Sequence, residues 1–428
     1  MGLPRLLVVD GMGGTSPRDY LRSLTPLAEL KVVHVPPPFP DLAAQKAREL
    51  ATRADTVEVV TVERPDQVVE AITTTARSWS PDGVFAQNEH LLSDVAVAAE
   101  QLGLPYHSAH AASLLRRKDL QRAALLAAGV PGPRVAVLEP GVDPAVALAE
   151  VGLPAVLKPT VGVGSISTML VDSASALTAA VREAARNYRD DPRMYGREPV
   201  LMLESLLAGQ RWHRDERYGD HASVESLVFD GEITHLAVSD KLPLAAPFRE
   251  TGHVLPSILD TERQDVLRAA ATEAIRALDL RHGATHIEFK LTEDGPRVIE
   301  VNGRLGGSVA RQLELTAGYD VLADLGRMAL GTRPQTPTRF KCFSLWFTPA
   351  SPQRDVVVRA VHGEQQARTL AGVRDLAIRY RAGARPDWRM GGFSSLWRAM
   401  IISPTAEDLF TVAQRLENTL TVELDDAG

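Results

Sequence analysis

Short apolar runs alternate with amphipathic stretches over the first 110 residues. The runs are short and rich in Val and Leu, which predicts strands. The strand candidates are Arg5–Asp10, Lys31–Val35, Val57–Val62 and Gly83–Ala86. Helical patterns lie between them, most clearly at Asp66–Ser78 and Leu91–Leu102. This strand–helix alternation indicates an α/β domain with a doubly wound parallel sheet.

The first strand ends in a glycine-rich turn, Gly11-Met12-Gly13-Gly14. Such a turn invites a dinucleotide-binding interpretation, but GMGG lacks the full G-x-G-x-x-G spacing. We interpret it as an ordinary strand-to-helix turn. A dehydrogenase built on this sheet stays an alternative, which a test of NAD binding would decide.

Later patterns divide the chain further. The predicted helices are 113–128, 261–278 and 405–418, and the predicted strands are 155–158, 223–229 and 233–239. Asp230-Gly231 joins the last two strands as a hairpin turn. The polar segment 208–222 reads as an insertion or a mobile loop. We predict an N-terminal α/β domain over 1–112, a linker helix and a lid over 113–203, a main domain over 204–335 and a small appended α+β domain over 336–428.

Composition narrows the class of protein. The 428 residues are 45% hydrophobic, which is enough for a sizeable core, and the net charge of −7 argues against nucleic-acid binding. Cys342 is the single cysteine, which excludes a disulfide framework. No signal peptide or membrane-spanning run is recognisable, so we expect a cytoplasmic protein with no membrane partner. With 40 Arg and only 7 Lys, each lysine near a motif carries more weight.

The most informative stretch is His286–Asn302, which reads as a hairpin turning at Glu293-Asp294-Gly295. Alternation would put Ile287, Phe289, Ile299 and Val301 on an apolar face, and His286, Glu288, Lys290, Glu300 and Asn302 on a polar one. Glu288 and Glu300 would then lie opposite each other, where like charges repel unless something positive sits between them. Two carboxylates and the Asn302 carbonyl suit Mg²⁺. A hairpin with a merely solvated polar face is the alternative.

Arg304-Leu305-Gly306-Gly307 follows directly, and with it the stretch resembles the metal-binding end of the ATP-grasp superfamily, whose pattern is Glu, then Glu-x-Asn-x-Arg. The similarity is greatest to the branch of L-amino-acid and peptide ligases, and it spans roughly residues 80–330. The resemblance implies an ATP-grasp fold and the cofactors ATP and Mg²⁺, with Mn²⁺ as an alternative metal. It assigns Glu288, Glu300 and Asn302 to the metal.

The same resemblance assigns the nucleotide site. Lys118 and Lys158 would contact the phosphates and the adenine edge, and the loop of Gly162, Val163, Gly164 and Ser165 would be the lid. This loop is not a Walker loop, because no G-K-[ST] is present. Glu204 and the backbone near Leu206 would hold adenine and ribose, with Glu225 in the same set. His221 departs from the pattern, since many relatives carry an acid there, and this puts the ribose contact in doubt.

Arg304 is the first candidate for chemistry. A guanidinium can stabilise the tetrahedral oxyanion that forms when an amine attacks an acyl phosphate. The backbone amides of Gly306 and Gly307 could approach the same anion. A structural Arg304 paired with Glu300 is the alternative. Phe248–Pro256 resembles the family's Glu-x-Gly-His segment, which implies that His253 reaches the reacting carboxyl group and that Glu250 lies beside it.

The substrates are implied only in outline. Glu89 stands where the dipeptide-ligase branch holds the amino group of the carboxyl donor, although a solvated loop glutamate would look the same. Ser308 stands where that branch has a bulky aromatic residue, so the acceptor could be larger than alanine, even a peptide. We therefore expect an amino-acid-like carboxyl donor, an amino acid or peptide acceptor, and a role in antibiotic or other natural-product biosynthesis. A homodimer is one option for the oligomeric state.

Three other functions compete with an amide-forming ligase. A purine-pathway-type ligase or a biotin carboxylase-like enzyme would use the same fold, but the Glu89 and His253 segments favour the amino-acid branch. A non-catalytic nucleotide sensor would be expected to lose Arg304 or a metal carboxylate. None of these residues is lost. The predicted activity is therefore ATP-dependent joining of a carboxylate to an amine, through an acyl phosphate, with release of ADP and phosphate.

Overall fold

The computed structural model describes residues 2–139, 141–335 and 339–427. The first 102 residues form a parallel sheet flanked by helices. Its strands are β1 (Arg5–Asp10), β2 (Glu29–His34), β3 (Glu58–Thr61) and β4 (Gly83–Ala86). Its helices are α1 (Pro17–Leu24), α2 (Pro40–Ala51), α3 (Val68–Trp79) and α4 (Leu92–Leu102). The strand order is β3-β2-β1-β4, which confirms the predicted parallel sheet.

Both faces of this sheet are buried. Leu6 and Val8 of β1 pack into one hydrophobic cluster, and Leu7 and Val9 pack into another. A strand covered on both sides reads as a continuous apolar run. The chain leaves β1 towards β2 on one side and returns to β4 on the other, so the crevice between the ends of β1 and β4 is a topological switch point, where open α/β sheets bind ligands.

Two helices connect this sheet to the rest of the protein, where the sequence predicted a single helix over 113–128. They are α5 (Ala109–Arg116) and α6 (Lys118–Ala127). The chain is extended at Arg117, and the backbone N–H of Lys118 donates to Thr160 O at 2.8 Å. Because that N–H no longer bonds within a helix, α5 ends and Lys118 begins a new one. The single-helix prediction was wrong on this point.

A small antiparallel sheet forms the lid. Its strands are β5 (Val135–Leu138), β6 (Ala155–Pro159), β7 (Met169–Val171) and β8 (Leu201–Ser205), and its helices are α7 (Pro144–Val151) and α8 (Ala174–Asp190). The order is β5-β8-β6-β7. Leu177, Ala180 and Ala184 of α8 pack against Leu157 and Val171 of the sheet. The loop between β6 and β7 contains the Gly162–Ser165 segment.

A large antiparallel sheet carries the metal hairpin. Its first strands are β9 (His221–Phe229), β10 (Glu232–Lys241), β11 (Gly252–Leu255), β12 (Gly283–Thr292) and β13 (Gly295–Asn302). The associated helices are α9 (Thr261–Ala277), α10 (Val309–Ala317) and α11 (Val321–Ala329). Asp230 and Gly231 have φ of 52° and 84°, which confirms the hairpin turn between β9 and β10. Helix α9 covers the apolar face.

The C-terminal segment extends this sheet. Its elements are β14 (Phe343–Phe347), β15 (Val356–His362), α12 (Glu364–Arg368), β16 (Val373–Ile378), β17 (Trp397–Ser403), α13 (Ala406–Thr419) and β18 (Thr421–Asp426). Strands β14, β17 and β16 join the large sheet in the order β13-β12-β9-β10-β11-β14-β17-β16. Strands β15 and β18 pair with each other in a separate two-stranded sheet. The predicted domain divisions stay predictions, and the division after 335 adjoins residues 336–338, which lie outside the described residues.

The hairpin of β12 and β13 contains a bulge that the sequence did not reveal. Glu288 pairs with Glu300 as predicted, but Phe289 pairs with Val298. Val298 therefore packs into the apolar core, while Ile299 is only partly buried and lines a cleft between the hairpin and the lid. The prediction that Ile299 shares the apolar face was wrong. A bulge shifts side-chain alternation by one position, and pattern alone does not show it.

The segment 208–222 is anchored to the large sheet, and its last two residues belong to β9. Trp212 Nε1 donates to Thr292 O at 3.1 Å, and buried Tyr218 stacks on His213 with ring centroids 4.7 Å apart. The mobile-loop interpretation is therefore wrong. Across the described ranges, no helix combines the length and apolar character needed to cross a bilayer.

Candidate active site

One face of the large sheet is polar over most of its width, and we call it the polar face. Side chains alternate along each strand, and cross-strand partners share a face. Residues on this face include His221, Ser223 and Glu225 of β9, Lys241 of β10, His253 of β11, His286, Glu288 and Lys290 of β12, and Glu300 and Asn302 of β13. The opposite face carries Val224, Val254, Ile287, Phe289 and Val301, all buried in hydrophobic clusters.

Each carboxylate of the predicted metal pair has its own cationic neighbour. Glu300 Oε1 lies 2.7 Å from Lys118 Nζ, and Glu288 Oε1 lies 3.1 Å from His286 Nε2 and 4.0 Å from Lys241 Nζ. The predicted positive charge is thus supplied by side chains. Burial opposes the charged form of His286, but the nearby carboxylates of Glu225 and Glu288 outweigh it and raise the pKa of His286 to about 9.

The donor set fits a magnesium ion that shares its ligands with phosphates. Glu288 and Glu300 are cross-strand partners, and the Asn302 amide donates to His286 O at 3.4 Å, which leaves its carbonyl oxygen as an acceptor. Mg²⁺ commonly takes one or two carboxylates plus substrate phosphates and waters. Within the described ranges, no group of three or more His, Cys, Asp or Glu side chains is arranged to hold a metal ion by itself.

A cleft between the lid and the polar face collects the predicted nucleotide residues. It is lined by Lys118, Lys158, Gly162, Val163, Gly164, Ser165, Glu204, Leu206, His221, Glu250, Glu288, Ile299 and Glu300, among others. Gly164 and Ser165 have φ of 63° and 59°, a left-handed pair that lets the loop curl over the cleft. Residues from α6, the lid and the hairpin therefore meet in one place.

Glu204 lies at the centre of a buried ion triad in this cleft. Lys158 Nζ is 2.6 Å from Glu204 Oε2, and Arg122 Nε is 2.8 Å from Oε1. Burial alone would raise the pKa of Glu204, but Arg122 and Lys158 outweigh it and hold the pKa near 2. The sequence reasoning missed Arg122, although it follows Lys118 by four positions on one helix, a spacing that places both on one face.

Glu225 lies outside the residues that line this cleft. It is fully buried, bonds to His286 Nδ1 and accepts from the Gly306 N–H at 3.1 Å. We therefore reassign Glu225 from the nucleotide set to the support of the hairpin. The bond has a second consequence, because the Gly306 N–H is occupied and is not free for an oxyanion. A Cβ on Gly306 would lie 2.9 Å from the Val309 side chain and 3.0 Å from His286 Nδ1, so a larger residue there would displace one of these side chains.

Arg304 and Glu89 meet where the hairpin reaches the N-terminal sheet. Arg304 Nε lies 3.2 Å from Glu89 Oε2, and Arg304 Nη1 donates to Leu305 O at 2.8 Å. The predicted partner Glu300 is instead paired with Lys118. Asn88 donates to Val9 O at 3.1 Å, which fixes Glu89 at the switch-point crevice between β1 and β4.

His253 is held by two residues of the segment that follows Arg304. Its Nε2 lies 2.8 Å from Gln312 Oε1 and 3.0 Å from Ser308 Oγ. Burial, and then the charge of Lys241, lowers the pKa of His253 to about 4, so the ring is neutral. Since the Gln312 carbonyl can only accept, Nε2 carries the proton and Nδ1 offers a lone pair. Gln312 was not predicted, although it follows Ser308 by one helical turn.

Glu250 and Gly307 complete the predicted set. Glu250 Oε1 accepts a hydrogen bond from Lys241 Nζ at 2.6 Å, and the Glu250 side chain lines the cleft between the lid and the polar face. Gly307 has open space where a Cβ would stand, so its backbone remains approachable. The hairpin of β12 and β13 thus borders the cleft, carries the Glu288–Glu300 pair, and is followed by Arg304 with its partner Glu89.

Comparisons with known proteins agree with this geometry. Residues 151–312 match the model of the ATP-grasp domain. The chain is 32% identical over 333 residues to alanine–anticapsin ligase of Bacillus subtilis strain 168, covering 71% of this chain and 69% of that protein. It is 31% identical over 279 residues to human carnosine synthase 1, covering 62% of this chain and 32% of that one.

Solved structures show the same fold. The L-amino acid ligase from Bacillus licheniformis superposes with a TM-score of 0.80 at 19% identity, and each chain is covered over 100% of its length. The resemblance inferred from the hairpin and the lysines is therefore confirmed. The chain belongs to the ATP-grasp family, as a ligase that forms carbon–nitrogen bonds.

Proposed function

We propose that the protein joins the carboxyl group of an amino-acid donor to the amine of an amino acid or peptide, in natural-product biosynthesis. The similarity to alanine–anticapsin ligase supports an amino-acid donor. One observation carries the proposal: Arg304 and Glu89 form an ion pair at 3.2 Å only two residues beyond the carboxylate hairpin. Such a pair would give an amino-acid donor a recognition group beside the proposed phosphate-transfer site.

In the proposed reaction, a carboxylate oxygen of the donor attacks the γ-phosphorus of ATP, which forms an acyl phosphate and ADP. The acceptor amine then attacks the acyl carbon, phosphate leaves, and the nitrogen loses one proton. Glu288, Glu300 and Asn302 would hold Mg²⁺, with Mn²⁺ as an alternative, and the ion would neutralise phosphate charge. Lys118 and Lys158 would exchange their present carboxylate partners for phosphate oxygens.

Glu89 and Arg304 would act as a matched pair on the donor. Glu89 is 6% exposed and its nearest cation is Arg304, so a donor ammonium offers it an alternative positive partner. Once the ammonium takes that place, the guanidinium can turn to the acyl oxygen, where negative charge develops during amine attack. His253, neutral and fixed through Gln312 and Ser308, would contact the reacting carboxyl group from the neighbouring strand.

Open space beside Gly307 supports a supplementary contact of its backbone amide to the same oxygen, whereas the Gly306 amide is bonded to Glu225. The small Ser308 side chain supports acceptors larger than alanine. The acceptor would therefore enter beside the hydrogen-bonded pair of Ser308 and His253.

A substrate screen tests the proposal. Phosphate release would be measured over pairs of amino acids and dipeptides with MgATP, and the mass of each product would be determined. We expect amide products whose mass equals donor plus acceptor minus water, formed with one ADP per bond. The Glu300→Gln variant provides the blank for non-enzymatic release. ATP hydrolysis without any condensed product, over the whole screen, would contradict the proposal.

A further inference from the structure

The C-terminal strands continue the polar face beyond His253. His253 of β11 pairs with Trp346 of β14, and Trp346 pairs with Met400 of β17. Cross-strand partners lie on the same face, with Cβ atoms about 4.5–5.5 Å apart. The indole of Trp346 is therefore the immediate neighbour of His253, and the floor of the active site extends into the segment after residue 339.

Arg398 lies on this same floor, two residues before Met400. Its guanidinium carbon is 5.5 Å from the centroid of the Trp346 ring. Arg398 is exposed over the residue as a whole, but partial burial of its guanidinium against the neighbouring side chains lowers its pKa. Among the described residues no carboxylate lies within 4 Å of it, and the nearest charge partner, Asp375, is bonded to Arg311 at 3.1 Å.

A second unpaired guanidinium lies on the adjacent strand. Ala377 of β16 pairs with Arg398, and Arg379 follows two residues later, so all three share a face. Arg379 packs over the Phe393 ring at 5.1 Å. Burial, and then the charge of Arg398, lowers the pKa of Arg379 to about 10. Within 4 Å of Arg379, the described part of the chain offers no carboxylate either.

Two like charges held close together without an anion are unfavourable, so the arrangement needs a physical reason. Elsewhere around the active site, Arg122, Arg193 and Arg304 each have a carboxylate partner. A guanidinium presents two parallel N–H groups that match a carboxylate, and the aromatic rings beneath Arg398 and Arg379 give an apolar support. A carboxylate of a bound molecule would supply the anion that this pair lacks.

The spacing identifies which part of that molecule would be bound. Strands in a sheet are about 4.8 Å apart and residues rise about 3.3 Å along a strand, so Arg398, two strands across and two residues along, is about 12 Å from His253 between Cα atoms. A dipeptide spans about 7 Å at 3.3–3.6 Å per residue, and the long arginine side chain covers the remainder. The α-carboxylate of a single amino acid would lie too close to its amine to reach both sites.

We propose that Arg398 and Arg379, with Trp346 as the platform, bind the C-terminal carboxylate of a dipeptide acceptor whose amine lies at His253. The inference rests on the proposed ligase function and names the substrate class of its acceptor side. It also gives the C-terminal strands a direct part in the active site.

The test compares acceptors that differ only in charge. L-alanyl-L-alanine and its C-terminal amide would be supplied with MgATP and the donor of highest turnover in the screen. We expect the free acid to be used with kcat/KM tenfold or more above the amide, because a charge-assisted hydrogen bond contributes about 1.5–3 kcal/mol. Arg398→Ala and Arg379→Ala should each reduce this ratio to within about threefold of unity, mainly by raising the KM for the acid.

Arg415→Ala is the matched control, because Arg415 is an exposed arginine on α13, which packs on the other side of the sheet. It should keep the wild-type ratio. Equal use of acid and amide by the wild type, or an unchanged ratio in Arg398→Ala, would overturn the inference and leave the ligase function standing. If the variants lost as much kcat/KM with free L-alanine as acceptor as with the dipeptide, the inference would also be overturned. The arginines would then bind a carboxylate that lies closer to the reacting amine than that of a dipeptide. Absence of any condensed product would instead overturn both.

Discussion

The two ends of the polar face differ in how their charges are paired. At the hairpin end, around β12 and β13, the lysines have carboxylate partners. At the tail end, on β16 and β17, two arginines have none within the described residues. Lys118, Lys158, Lys241 and Lys290 lie 2.6–2.7 Å from Glu300, Glu204, Glu250 and Asp220, respectively. Arg379 and Arg398, by contrast, pack over the rings of Phe393 and Trp346, and no carboxylate of the described residues lies within 4 Å of either guanidinium. The same sheet thus holds a balanced network and an uncompensated one.

This difference in charge pairing indicates how each end of the polar face would bind its ligand. Phosphates and metal arrive together and carry both signs of charge, so a balanced network can exchange partners without a large change in net charge. An acceptor brings a carboxylate, so unpaired guanidiniums offer it an attractive field before contact. The predictions below alter one end at a time, and they run from the largest expected effect to the smallest.

The hairpin end should be the most sensitive. Glu300→Gln and Glu288→Gln each leave a cation without its partner and remove charge from the metal pair. We expect kcat/KM to fall by on the order of 10³, since a metal ion that neutralises charge on the transferred phosphoryl group contributes several kcal/mol and each variant removes one of its proposed ligands. Glu293→Gln, in the exposed hairpin turn, is the control and should behave as wild type. Normal turnover of either variant at ordinary Mg²⁺ concentration would show that the hairpin is not the metal site.

Arg304 separates chemistry from nucleotide binding. Arg304→Ala should keep MgATP affinity, because the lysines and the carboxylate hairpin are untouched, yet lose about a hundred- to thousandfold in kcat, the usual cost of one oxyanion contact. Arg304→Lys should recover little, since an ammonium cannot reproduce the guanidinium fork. Calorimetric ATP affinity and product formation would be measured on the same samples. Lost ATP affinity with normal kcat at saturation would make Arg304 a nucleotide ligand.

Glu89 should affect the donor alone. Glu89→Ala removes the anion opposite the donor ammonium, so the donor KM should rise about ten- to hundredfold, the value of a charge-assisted hydrogen bond. The KM for ATP and the acid-to-amide preference for acceptors should change little. Glu100→Ala, on the exposed surface of α4, is the control. If donor and ATP KM rise together in Glu89→Ala, the residue is a general support of the fold and not a donor contact.

Ser308 should give the smallest effect. Ser308→Ala removes one neutral hydrogen bond to His253, while the Gln312 bond at 2.8 Å keeps the ring in place. A loss of about threefold to tenfold in kcat/KM is expected, since such bonds contribute about 0.5–1.5 kcal/mol. Gln312→Ala should lower kcat/KM more, because the carbonyl that keeps the proton of His253 on Nε2 is then lost. A larger loss in Ser308→Ala than in Gln312→Ala would mean that Ser308 itself contacts substrate.

Much of the nucleotide site was visible in the sequence. Lys118, Lys158, the Gly162–Ser165 loop and Glu204 stand in short motifs, and the structure brings them into one cleft. Glu225 could not be placed in this way. It follows Ser223 by two positions and shares the polar face, yet contacts with His286 and Gly306, 61 and 81 residues away, decide what it does.

The sequence by itself determined the local elements and the order of the motifs, because strand alternation, glycine turns and the Glu288–Glu300 register depend on near neighbours. Tertiary structure decided the rest. The break at Arg117 depends on Thr160, and the bulge before Glu300 depends on packing of Val298. Strands from distant parts of the chain join one sheet, and this brings Trp346, Arg398 and Arg379 onto the same face as His253. Which distant strands pair by backbone hydrogen bonds cannot be read from the hydrophobic pattern, because that pattern depends on near neighbours in the sequence.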